Sequence, residues 1–344
     1  MSEVIKSHKG FNKDMTCRGF QFEEGKEYET ENAIACNEGF HACEYPLDVF
    51  VYYNPAESVF HEVEQSGDID RDDDDTKICS TKIKIGASIN IAGMVKASIE
   101  YIKARCEKSN NSKEKGEILE STGDWSANSA TGYRSANSAT GDWSANSATG
   151  YRSANSATGD WSANSATGYG SANSATGDRS ANSATGDWSA NSATGYGSAN
   201  SATGYGSANS ATGYRSANSA TGYGSANSAT GDRSANSATG DWSANSATGD
   251  WSANSATGYG SANVSTGDEC SNNAEGERNI SVGWGKDNKC KGCLGSFLVL
   301  SEWGKWDGEK YPLISAKMVE VDGENIKADT WYKLVNGELV EVEG

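Results

Sequence analysis

The chain has 344 residues, a formal net charge of −18 and a hydrophobic fraction of 35%, low for a globular protein, where nearly half is usual. Such acidity repels nucleic-acid phosphates and favours solubility, and no stretch approaches the roughly 20 apolar residues of a membrane span. The expected partner is therefore a protein, with neither nucleic acid nor membrane involved.

"MSEVIKSHKGFNKD" has no apolar core of an export signal. The eight cysteines, Cys17, Cys36, Cys43, Cys79, Cys106, Cys270, Cys290 and Cys293, are therefore expected as free thiols in a reducing cytosol. Residues 1–107 read as a globular α+β domain. "CRGFQF" and "KEYET" are predicted strands on either side of a turn at Glu24-Gly25. "YPLDVFVYY" is a predicted short helix, entered at Pro46 and stopped before Pro55. "VFHEVEQ" and the alternating "TKIKIGASINI" are predicted strands, with "RDDDDTK" (Arg71–Lys77) a charged loop between them. Met94, Val95, Ser98, Ile99 and Ile102 then recur at helical spacing. Residues 108–121 read as a linker.

Residues 122–268 are a repeat array in which 17 Thr-Gly pairs follow one another every nine residues, from Thr122 to Thr266. A disordered tract is the alternative for this composition. A strict period without insertions favours stacked structural units. One unit reads Ser-Ala-Asn-Ser-Ala-Thr-Gly-(Asp/Tyr)-(Trp/Arg/Gly). A position that exchanges Trp for Gly does not fill a fixed interior volume, so the last two places are expected on the outside and the fixed Ala and Ser on the inside. An interior so poor in apolar area must rely on ladder hydrogen bonds and close backbone approach. Asp and Tyr alternate through Asp124, Tyr133, Asp142, Tyr151, Asp160, Tyr169 and Asp178, which predicts a two-sided coil of two units, or 18 residues. About eight such coils at ~4.8 Å each make a rod near 40 Å long. The turn residues Trp125, Trp143, Trp161, Trp188, Trp242, Trp251, Tyr133, Tyr151, Arg134 and Arg152 are the candidate partner-binding set, since exposed aromatics with Arg form contact surfaces. Protecting a thin core by coil-to-coil stacking is the competing role for the rings.

Residues 269–344 read as a C-terminal cap and small β-rich domain. "SFLVLSEW" is a predicted strand. Asp322-Gly323 and Asn336-Gly337 are strong turn signals. The fold class is thus mainly β: a central β-solenoid between an α+β head and a β-rich cap.

"SATGDWSANSATGYGSAN" resembles the β-roll heads of trimeric autotransporter adhesins, although those have a longer period and a membrane anchor. That resemblance implies a small-residue parallel β-roll, a homotrimer, and an adhesin-like role as one alternative. Period nine is similar to the calcium-binding RTX repeats, but their Gly-Gly-x-Gly-x-Asp pattern is missing. "KGFNKDMTCRGFQFEEGKEYE", "GFHACEYPLDVFVYY" and "VGWGKDNKCKGCLGSFLVLSEW" resemble the two ends of an uncharacterised family of phage and prophage proteins. That resemblance implies a phage- or prophage-encoded protein of the host cytoplasm or the virion.

Catalytic alternatives are few. Arg18, Tyr28 and His41, with Glu64 or Glu62, resemble the residue order of ADP-ribosyltransferase folds, in which Arg or His holds NAD and a Glu polarises the ribose. Cys290-Lys-Gly-Cys293 has half a zinc spacing with no second pair nearby, so no metal and no cofactor is expected. The leading expectation is a non-enzymatic interaction or scaffold protein whose partner is a host defence factor or a virion component.

Overall fold

The computed structural model describes residues 4–71, 75–106, 108–112 and 118–343. Residues 72–74 of the expected charged loop and 113–117 of the expected linker lie outside the described residues.

The first hundred residues supply β1 (Ile5–Asn12), β2 (Thr16–Cys17), β3 (Phe20–Gln21), β4 (Glu27–Glu29), β5 (Phe40–Cys43), α1 (Val49–Tyr52), β6 (Ser58–Arg71), β7 (Lys77–Ser88) and α2 (Ile91–Arg105). Five strands form a sheet in the order β4-β7-β5-β1-β6, and β6 pairs again with β7. That second pairing closes the strands on themselves around Phe11, Phe22, Ala42, Val63, Ile83 and Ile85. The predicted helices appear where the sequence placed them. Pro46 opens a 3-10 turn that runs into α1. Asn90 caps α2 by accepting from the Gly93 amide at 2.9 Å. The helix buries Met94, Val95, Ser98, Ile99 and Ile102, the five residues at helical spacing. The turn between the first strands differs from expectation. β2 and β3 form a tight hairpin across Arg18-Gly19, both with positive φ, and β4 joins β7 instead.

The array is a β-solenoid of about ten coils. Its strands alternate between two parallel sheets. Sheet I holds Ser126–Thr131, Ala145–Thr149, Ala163–Thr167 and their successors. Sheet II holds Ala136–Thr140, Ala154–Thr158 and theirs. Each strand pairs with the one 18 residues on, so Ala127 lies beside Ala145 and Asn128 beside Asn146. The predicted two-unit coil is the observed one. The coils extend past both expected limits. Lys108–Ser112 and Ile118–Thr122, expected as linker, pair in register with the first repeats. Lys289–Gly292 and Phe297–Trp303 continue the two sheets beyond residue 268. At ~4.8 Å per coil the rod is nearer 50 Å than 40 Å.

The interior differs from the Ala/Ser filling that the composition predicts. Strand alternation turns the first Ser, the Asn and the second Ala of each unit inward. The first Ala, the second Ser and the Thr face out. The inward Asn dominates. Asn146 Nδ2 donates to Asn164 Oδ1 one coil on at 3.1 Å, and to the Ser156 carbonyl of the opposite sheet at 2.6 Å. Asn164, Asn182 and Asn200 repeat both bonds. A side chain as short as Asn reaches the facing backbone, so the sheets stand closer than the ~10 Å of ordinary packed sheets.

The glycine of each Thr-Gly pair is fixed by the same closeness. A Cβ on Gly186 would sit 2.5 Å from the Gly168 carbonyl oxygen one coil back, on a backbone with φ of 137°. Only hydrogen fits there. At the C-terminal end, Leu313–Glu320 pairs antiparallel with Phe297–Trp303, and Trp331–Val335 meets Lys289–Gly292. Leu298, Leu300, Val321, Tyr332 and Leu334 form an apolar plug there. Asn336-Gly337 is the predicted hairpin turn, with φ of 51° and 73°. Asp322-Gly323 is not a two-residue hairpin. The Asp322 carboxylate instead gathers the amides of Glu324, Asn325 and Ile326 into a loop, and those bonds hold its pKa well below the usual carboxylate value.

Asn182→Ala removes one rung and strands a buried carbonyl and a neighbouring amide, so it should cost ~2–4 kcal/mol. Gly186→Ala should cost more than ~3 kcal/mol, because its Cβ meets backbone. Gly224→Ala, with φ of 65° and nothing within 4 Å of the new methyl, should cost about 1 kcal/mol. Amide hydrogen exchange across the coils around each site reads all three.

Candidate functional site

Every coil has two turns, which stack into two edges of the rod. One edge carries Gly123–Trp125, Gly141–Trp143, Gly159–Trp161 and so on at 18-residue intervals. The other carries Gly132–Arg134, Gly150–Arg152, Gly168–Gly170 and their successors. The last variable residue of nearly every turn is left-handed, whether it is Trp143 (φ 58°), Arg152 (57°) or Gly170 (68°). A side chain there points off the rod, and Gly satisfies the backbone equally well. The other variable place has a ladder role invisible in the sequence. Asp142 Oδ1 accepts the backbone amide of Asp160 one coil on at 2.9 Å, and Asp160 does the same for Asp178 at 2.8 Å.

The first edge is docked against the N-terminal domain. Trp125, Trp143 and Trp161 stack at 4.9 and 5.0 Å. The edge of Trp143 meets the ring of Tyr45 at 5.4 Å. Trp161 Nε1 donates to Asp48 Oδ1 at 3.0 Å. Next in line, Arg179 lies over the Trp161 ring at 5.0 Å and pairs with Asp48 at 3.3 Å. The Arg179 carbonyl accepts from the buried Tyr45 hydroxyl at 2.7 Å. One coil on stands Gly197, where the backbone of Phe50 comes close enough for its Cβ to touch an added methyl. After it, Arg215 donates to the carbonyls of Phe50 and Val51. The order Trp, Trp, Arg, Gly, Arg thus follows the relief of the N-terminal domain residue by residue. Beside this edge α2 lies across sheet I. Its apolar face covers the outward Ala145, Ala163, Ala181, Ala199 and Ala217. Asp48 is fully buried, and burial pushes its carboxyl up against the opposing pull of Thr76, Arg179 and Trp161.

Among the described residues, no other element covers the second edge from Tyr151 onward. Tyr133, Tyr151 and Tyr169 stack at 5.4 and 5.2 Å, with Arg134 and Arg152 over the first two rings. Trp188 leans along the edge so that its six-membered ring covers Gly206, and Trp242 covers Gly260 in the same way. Tyr205 and Tyr223 stack at 5.3 Å. The relative exposure of Trp188 and Trp242 is 55% and 57%, which leaves half of each indole open to a partner. Of the ten candidate partner-binding residues, Tyr133, Tyr151, Arg134, Arg152, Trp188 and Trp242 therefore share the open edge. Trp125, Trp143 and Trp161 lie on the docked one. Trp251 is on the docked edge, bonded to Glu269 at 3.0 Å, and lines a recess with Lys13, Ala56 and Glu57 of the N-terminal domain.

The catalytic alternatives are only partly brought together. Arg18 and His41 line one cavity of the N-terminal domain. Tyr28 packs on Phe20 and Phe22 and accepts from the Glu23 amide. Glu64 projects from β6 elsewhere, paired with Lys84 at 3.5 Å, and Glu62 is exposed beside it. Asp48 and Tyr45, central to the docked edge, were missed; the "EYPLD" that holds them carried only a helix-start signal.

Residues 5–97 match a family model described as a domain of unknown function, DUF7666. The match runs from β1 into the first half of α2, and so contains the cavity, Tyr45, Asp48 and part of the helix that lies on sheet I. No curated protein and no solved structure matches the chain.

Asp48→Ala leaves Arg179 half-buried against an apolar surface without its partner and should weaken docking by ~3 kcal/mol. Faster amide exchange in α1 and α2, with unchanged protection in the strands of sheet II, is the expected signature.

Proposed function

We propose that the protein is a non-enzymatic interaction scaffold whose solenoid presents its open edge, from Tyr133 to Trp242, to a protein partner. The observation that carries this reading is the docked edge. There the same Trp/Arg/Gly positions already fit a protein surface, the chain's own N-terminal domain. The open edge has the same residue types without a cover. Its Trp and Arg sit in left-handed backbone, which costs a non-glycine residue roughly 1–2 kcal/mol. Gly170, Gly206, Gly224 and Gly260 on the same edge indicate that the rod itself does not require them.

Resemblance of both chain ends to phage and prophage proteins supports a partner among host defence factors or virion components, met in the host cytoplasm or on the particle. An adhesin-like role rests on the likeness of the repeats to adhesin heads. A homo-oligomer, a trimer by that likeness, would form through the outer face of sheet II. There Ala172, Ala190 and Ala208 stand exposed, while their sheet I counterparts lie under α2.

The test replaces Trp188 and Trp242 by Gly, which their backbone already accommodates. Partner recovery by the double variant should fall at least tenfold, whereas Trp251→Gly on the other edge should leave it unchanged. Equal recovery by all three proteins would reduce the open rings to a protective role.

A further inference from the structure

We propose that the cavity of the N-terminal domain binds a small organic anion with a flat ring, its phosphate or carboxylate held by Lys9 and Arg18. The cavity measures about 640 Å³, within the range of small-molecule sites. Lys9, on β1, is 5% exposed. Its ammonium donates to the His41 carbonyl at 2.9 Å and lies between the rings of Phe11, Phe22 and Tyr53 at 5.4–5.9 Å. Among the described residues no carboxylate pairs with it. None of the described residues lining the cavity is Asp or Glu, in a chain that has 47 acidic residues against 29 basic ones. A buried ammonium held only by a carbonyl, ring faces and the Cys17 thiol, with no full counter-charge, costs several kcal/mol.

Two further groups point the same way. Arg18 is exposed at the rim, presented by the left-handed turn between β2 and β3. His41 has its Nδ1 on the Gly39 carbonyl at 3.1 Å, while its Nε2 is buried without a partner. Burial lowers the proton affinity of Lys9, against the opposing pull of Cys17 and Cys43, and burial and the charge of Lys9 lower that of His41. The charges of Lys9 and Arg18 in one recess focus a positive field on whatever enters it. Phe20, Phe22 and Phe40 also line the cavity. Phe20 is 49% exposed and sets its ring edge-on to Phe22 at 4.8 Å, which leaves an apolar surface for a planar group beside the cations.

Phenyl phosphate and benzoate are the probes, with benzyl alcohol as the uncharged control. Titration calorimetry and amide shifts are read on the full chain. At least one anion should bind with a dissociation constant of about 1 mM or tighter, the tighter identifying the head group, and benzyl alcohol should not bind. R18Q should weaken the complex about tenfold, and K9M should abolish it. Arg18 is exposed, so R18Q keeps the fold and decides the matter even where K9M does not fold. The proposal fails if neither anion shifts the amides of residues 8–10, 17–20 and 39–43, if R18Q binds as tightly as the parent, or if benzyl alcohol binds as well as the anions.

Discussion

The buried asparagine ladder is the constraint on which the rest of the molecule depends. Alanine offers too little area for the hydrophobic effect to hold two sheets together. The amide of each inward Asn supplies what area does not. One N–H goes along the rod to the next Asn, the other crosses to a Ser carbonyl in the facing sheet, and the oxygen accepts from the previous coil. The group is thus satisfied in a dry interior, where an unmet amide is costly. Because the crossing bond is as short as 2.6 Å, the sheets are locked at the reach of one Asn side chain. That separation leaves room for Ala and Ser but not for Leu or Val. The composition that looks too poor for a folded protein is the one the geometry demands.

From the ladder follows a division of labour within each nonamer. Seven residues build the coil, and the inward ones and the Thr-Gly glycine tolerate no growth, the glycine least of all, because each stacks on the carbonyl of the one before it. The remaining two are free in size because the turn points them away. They are not free in role. Asp stitches successive turns through backbone amides, and a left-handed residue closes the turn whatever its side chain. Surface chemistry can therefore change at one coil without disturbing its neighbours. The docked edge shows such change in use. It runs from indole to guanidinium to bare backbone as the opposing domain passes from Tyr45 to Asp48 to Phe50.

Much of this was legible in the sequence, and what was not has physical reasons. The period, the 18-residue coil, the outward turns and the helix at Met94–Ile102 are local or periodic signals, which repetition amplifies. The inward role of Asn was hidden because Ser, Ala and Asn are all small and polar-to-neutral, and alternation alone does not say which parity faces in. Residues 108–121 lack the repeat's letters, yet 108–112 and 118–121 adopt its backbone, since a terminal coil needs only one stacking partner. The docking of the N-terminal domain was out of reach, because it pairs residues more than a hundred positions apart.

Recognition by a rod differs from recognition by a pocket. Neighbouring groups on one edge are spaced by the ladder at one coil, so a partner must match their order at that interval. Energy accumulates along the edge in small contributions from stacked rings and cation–π pairs, each worth about 1 kcal/mol. A single indole contributes little, and a run of several sets both affinity and register. The same arithmetic holds within the molecule. The N-terminal domain engages successive turns and five alanines of sheet I at once. An edge of this design gains specificity with length. Keeping the coil invariant while the turn residues vary is the arrangement that lets length be added without risk to the fold.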